Sequence, residues 1–210
     1  MVIPGVPASQ PAVDSHLRAR LDELCTEAWG LWEQFDTTVR RKEFHPFVAA
    51  NYESVVNALI ANRGPNRRFL EWGSAMGAIT IMADLLGYEA HGIELDGALV
   101  DTARRLATRY ESKATFVHGS FIPTGYQWET LDGDRRTGTL GAGLSGYIQL
   151  GRALEDFDLI FGYPWDGETP MMLDLMRRWG SPDAILLVHG IDETVSAYRG
   201  GRTLVASYHR

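Results

Sequence analysis

Cysteine is nearly absent: Cys25 is the only one in 210 residues. No intrachain disulfide can form from it, and a metal centre built on several thiolates is excluded, so a reducing, cytoplasmic setting is expected. Long apolar runs are absent as well. No stretch reaches the ~18 consecutive apolar residues of a spanning helix, and no membrane partner is expected. The first residues lack both the basic start and the continuous apolar run of a signal peptide, so 1–13 reads as a flexible tail. Positive charge is in deficit, with 20 Lys and Arg against 27 Asp and Glu, a formal net charge of −7. Nucleic-acid affinity rests on basic side chains neutralising phosphates, so no nucleic-acid partner is expected. No His, Cys, Asp and Glu grouping has metal-ligand spacing, and no metal is expected.

What is present is an ordinary globular composition, 45% hydrophobic and 22% charged, in a chain of one-domain length. From Ser15 to Val39 apolar residues recur at spacings of three and four, which predicts an amphipathic helix. A second helix is expected to follow Pro46, with Phe47, Tyr52, Val55, Val56, Leu59 and Ile60 as its buried stripe. Together these make a helical cap region over 14–65. Strands and helices then alternate through 66–210, with strands expected near 68–72, 90–95, 114–117, 157–161 and 184–188 and a terminal, antiparallel edge strand within 201–208. The expected fold is α/β: a doubly wound, mostly parallel Rossmann-like sheet with N-terminal helices. A Gly-rich insertion at about 122–155 carries seven glycines and no sustained helical period, and reads as a lid with a hairpin near Asp132-Gly133.

The informative stretch is Phe69-Leu70-Glu71-Trp72-Gly73-Ser74-Ala75-Met76-Gly77, an apolar strand that delivers a carboxylate and then a small-residue turn into a helix. Small residues at Gly73, Ala75 and Gly77 let a ligand approach the backbone at the carboxyl end of the strand. A second carboxylate, Glu94, ends the next strand 23 positions after Glu71, where it can accept the hydroxyls of a ribose. The competing readings are tight packing for Gly73 and Gly77 and helix capping for Glu94. A dinucleotide fingerprint would need glycine at 75 and 78, and both are alanine.

In this order the parts resemble the first motifs of class I S-adenosylmethionine-dependent methyltransferases. The resemblance covers roughly 68–188 and implies S-adenosylmethionine as cofactor. It implies outer motif glycines at Gly73 and Gly77, the acid near the methionine end at Glu71, the ribose ligand at Glu94, and an adenine border at Ser120 and Phe121. Two departures stand out: Ala75 replaces the middle glycine, and Ser120 stands where an aspartate is common. The acceptor side is expected at Tyr163, Trp165 and Asp166 after the fourth strand and at His189 after the fifth, with His189 or Asp166 as base for a hydroxyl acceptor. His45 and His118 read as structural. The implied reaction is direct methyl displacement onto a small-molecule, partly aromatic acceptor. A protein acceptor and a noncatalytic adenosyl-binding scaffold remain the alternatives, and the oligomeric state is open.

Overall fold

The computed structural model describes residues 13–43, 45–127, 143–165 and 167–209. The tail at 1–12, the central part of the Gly-rich insertion with its expected hairpin at Asp132-Gly133, and Asp166 lie outside the described residues.

Five short apolar runs pair in parallel: β1 (Arg68–Trp72), β2 (Glu89–Glu94), β3 (Thr115–His118), β4 (Leu159–Gly162) and β5 (Ile185–His189). Two antiparallel strands extend the sheet, β6 (Val195–Arg199) and then β7 (Thr203–Tyr208). The order is β3-β2-β1-β4-β5-β6-β7. It reverses between β1 and β4, and in doubly wound sheets the crevice at such a reversal is where ligands bind.

Alternation along β1 divides the core between the two faces. Phe69 joins a cluster with α4 (Ala78–Leu85), α5 (Gly97–Arg109), α1 (Ser15–Phe35) and α3 (Tyr52–Ala61), while Leu70 and Trp72 pack against α7 (Thr169–Trp179) on the other. Between β3 and β4 the chain forms α6 (Gly146–Leu150) and a 3₁₀ turn at Leu154–Asp156. Among the described residues no helix is long and apolar enough to cross a membrane.

The N-terminal region departs from expectation in two places. After α1 the chain widens into a π-helical turn at Asp36–Arg40 and a short α2 at Arg41–Glu43, where buried Asp36 binds Arg40 at 2.8 Å and Arg41 at 2.7 Å. The next helix does not follow Pro46. It begins at Tyr52, because the Asn51 side chain caps it by accepting the Ser54 N–H at 3.1 Å. Residues 45–51 are left as a strap without regular structure.

Candidate functional site

At the β1–β4 reversal a cavity of about 790 Å³ opens along the carboxyl ends of the central strands. It is lined by Glu71, Gly73, Ala75, Glu94, Asp96 and Phe121, together with Phe47, Ala50, Tyr52, Tyr163, Trp165 and Ile191. Among the described residues, no lysine or arginine lines it.

The turn after β1 holds three positive φ values in five residues: Gly73 at 69°, Ala75 at 44° and Gly77 at 80°. Backbone contacts staple it onto β2. The Gly73 and Ser74 N–H groups both donate to the Ile93 carbonyl at 2.9 Å, and the Ala75 N–H donates to Glu94 Oε2 at 2.8 Å. Gly77 does not line the cavity. Its role is steric, since a Cβ there would stand 2.6 Å from the Phe116 ring and 2.7 Å from the Ala103 methyl. Ala75 occupies the left-handed region despite its Cβ, at a cost of roughly 1–2 kcal/mol partly offset by glycine's greater unfolded entropy. Ala75→Gly is therefore expected to raise the thermal midpoint slightly; a fall would show that the alanine methyl contributes packing exceeding the strain.

Glu94 sits at the end of β2 with both carboxylate oxygens held, Oε2 by the Ala75 N–H and Oε1 by the Asp96 N–H, each at 2.8 Å. Each oxygen has two lone pairs, so one remains on each side for a ligand hydroxyl. Burial raises its pKa, while these amide hydrogen bonds oppose the rise.

Glu71 is buried at the base of the same turn, where Oε2 accepts the Thr80 N–H at 2.9 Å and the Thr80 hydroxyl at 2.5 Å. Desolvation dominates, and the carboxyl is pushed up to about 8 from an ordinary 4.5. The folded chain thus keeps a proton that the unfolded chain has already released. That contribution to stability is full below about 4.5 and is lost as pH rises through about 8. Thermal midpoints of the ligand-free protein should fall between about pH 5 and about pH 9, and more steeply than those of Glu71→Gln. Parallel profiles for the two proteins would mean that Glu71 is ionised throughout.

Phe121 is held in place by Trp72, whose ring stacks on it at 5.3 Å and 17°, and whose Nε1–H donates to the Tyr147 hydroxyl at 2.9 Å. Ser120 departs from expectation. Gly119 and Phe121 line the cavity but Ser120 does not; its backbone pairs with Leu144 and Gly146, and its hydroxyl accepts the Ile122 N–H at 3.1 Å.

On the acceptor side, Tyr163 and Trp165 line the cavity. His189 requires correction. It lies at the end of β5 but is 2% exposed and absent from the lining, and its Nε2 accepts the Asn51 N–H at 3.0 Å. Burial lowers its pKa, so the imidazole is a neutral backbone acceptor packed 4.4 Å from the Tyr163 ring, and it does not face the cavity as a base.

Sequence reasoning passed over His45, Tyr52 and Ile191, all of which line the cavity. His45 Nδ1 accepts the Phe47 N–H at 3.1 Å and its Nε2 lies 3.3 Å from Asp96 Oδ2. The usable signal was Asn51: taken as an N-cap, it moves the helix start to Tyr52 and leaves His45 on a loop at the rim.

The fold is Rossmann-like. No known family's sequence model matches the chain, and no curated protein matches it. Several solved structures are similar. An RNA methyltransferase from Salinibacter ruber, in complex with S-adenosyl-L-homocysteine, is 16% identical, covering 68% of this chain and 76% of that one at a TM-score of 0.47. A precorrin-6y C5,15-methyltransferase from Geobacter metallireducens is 15% identical over 70% of this chain and 69% of its own, at 0.45. A TehB-like SAM-dependent methyltransferase from Corynebacterium glutamicum is 15% identical over 81% and 72%, at 0.42. Those descriptions are statements about those proteins.

Proposed function

We propose that the chain is an S-adenosylmethionine-dependent methyltransferase acting on a small, uncharged and partly aromatic acceptor. The observation that carries this reading is the pair of carboxyl groups, Glu71 and Glu94, on adjacent strands β1 and β2, both lining the cavity on either side of a left-handed turn. Their chemistry fits the cofactor. Glu94 keeps a free lone pair on each oxygen for the two ribose hydroxyls, and Glu71, on giving up its proton, meets the ammonium of the methionine end. Phe121 offers an apolar face to the adenine. Alanine at 75 and 78, where a dinucleotide fingerprint needs glycine, disfavours the close approach of a pyrophosphate.

Bound S-adenosylmethionine would supply an electrophilic methyl on a sulfonium. The protein's share is alignment and exclusion of water, and orientation alone can contribute ~7–11 kcal/mol. Tyr163, Trp165, Tyr52 and Phe47 would form the acceptor walls, their ring faces also favouring positive charge nearby. With His189 turned away from the cavity, the reading favours an acceptor atom that is nucleophilic without a histidine base. The strap across the rim and, among the described residues, a lining without lysine or arginine favour a small molecule over RNA or a protein. The single cysteine agrees with a cytoplasmic setting.

The test is incubation of the full chain with methyl-labelled S-adenosylmethionine and a small-molecule extract, followed by mass spectrometry. Labelled small molecules are expected. Label found only in protein or RNA would overturn the acceptor class, and bound cofactor that never turns over would favour a noncatalytic adenosyl-binding protein.

A further inference from the structure

The strap at 45–51 bridges the two sides of the cavity. Five of its residues, His45, Pro46, Phe47, Val48 and Ala50, line the space beneath it. Among the described residues, 46–50 makes no backbone-to-backbone hydrogen bond. The strap is hydrogen-bonded at its ends, while between them Phe47 packs 5.6 Å from the Phe35 ring and Ala50 is buried. On the β2 side, His45 Nε2 stands 3.3 Å from Asp96 Oδ2, at the N-cap of α5. On the β5 side, the Asn51 N–H donates to His189 Nε2 at 3.0 Å, and Asn51 Nδ2 donates to Glu193 Oε2 at 2.8 Å. Asp96 and His189 follow strands on opposite sides of the β1–β4 reversal, so anything bound between them lies under the strap.

We propose that residues 45–51 form a cover that opens at its Asn51 end to admit ligands, and that His189 is the positioning residue that latches it shut. The cover itself stands on geometry; its task of admitting S-adenosylmethionine and an acceptor rests on the methyltransferase reading. Opening costs little backbone bonding, because the middle of the strap has none to lose. The latch depends on one protonation state of His189. Nε2 must be bare to accept the Asn51 N–H, so the proton of the neutral ring is on Nδ1. Adding a proton at Nε2 sets donor against donor, and the latch releases.

The groups facing His189 are the Tyr163 ring from the β4–α7 loop, Asn51 from the strap, and the Glu193 and Asp192 carboxylates from the β5–β6 turn. The carboxylates favour the imidazolium, but burial outweighs them and keeps the ring neutral to lower pH than usual.

Amide hydrogen exchange of the full chain tests this directly, with wild type, His189→Leu and His189→Gln compared as protection factors with and without S-adenosylhomocysteine. In His189→Leu, protection at the Asn51 amide should fall about tenfold, the scale of one lost hydrogen bond, with β5 and β6 amides unchanged. In His189→Gln the side-chain carbonyl can accept the same N–H. Protection should return, and should persist as the pH is lowered, where wild type loses it. S-adenosylhomocysteine should raise strap protection in wild type. Equal protection at Asn51 in all three proteins would overturn the latch, as would a loss in His189→Leu that spreads equally through β5 and β6. Should S-adenosylhomocysteine bind none of them, the methyltransferase reading fails, while the ligand-free comparison still decides the latch.

Discussion

Titration of Glu94→Ala with S-adenosylhomocysteine is expected to give a dissociation constant raised about 100-fold or more over wild type. Two hydroxyls hydrogen-bonded to one carboxylate are worth ~1.5–3 kcal/mol each, and alanine removes both acceptors. The substitution also frees the Ala75 and Asp96 amides, which Glu94 holds at 2.8 Å, so the turn that frames the ligand loosens with it. Glu94→Gln should fall between. It keeps one oxygen acceptor but sets an amide donor against one of those backbone N–H groups. Thermal denaturation separates lost affinity from lost fold. An Ala variant that is folded and binds as wild type does would remove Glu94 from the site.

Gly77→Ala should cost the fold about 2–4 kcal/mol and lower the thermal midpoint by roughly 5–15 °C. Two effects add at this position. The left-handed backbone, φ 80°, costs an L-residue roughly 1–2 kcal/mol, and the new methyl would lie 2.6 Å from the Phe116 ring and 2.7 Å from Ala103. Both neighbours are buried, so the methyl can be accommodated only by moving α5 and β3 away from the turn. An unshifted midpoint would mean that Gly77 is not left-handed and that α4 begins differently. At Ala75, also left-handed, the opposite substitution is expected to help, and the pair compares two left-handed positions of one turn.

The sheet was legible because its central strands are buried on both faces and therefore read as continuous apolar runs, as Ile185-Leu186-Leu187-Val188 does. Strand β6 was not. Val195 and Ala197 are buried while Ser196 and Tyr198 are half-exposed, and five residues of such alternation directly after a turn give little periodic signal. Expectation and structure agree on an antiparallel edge strand at β7. The placement of Glu71, Gly73 and Glu94 around one cavity was legible too, because carboxylates at the ends of adjacent parallel strands converge whatever the helices do. The acceptor side was harder. His189 was read from its place at a strand end, which fixes where its backbone stands; which way its ring turns depends on the Asn51 amide 138 residues away in sequence. Ser120 was read from its place after a strand, whereas its backbone pairs with Leu144 and Gly146, some 25 residues away in sequence. Pro46 was read as a helix start by propensity, and the cap at Asn51 overrode it.

The most direct measurement is calorimetric titration of the full chain with S-adenosylhomocysteine and, in parallel, with NAD. The account predicts saturable binding of S-adenosylhomocysteine at one site per chain, with proton release below about pH 8 as its ammonium displaces the proton on Glu71, and no binding of NAD. Saturable binding of NAD, or no binding of S-adenosylhomocysteine by a folded chain, would contradict it.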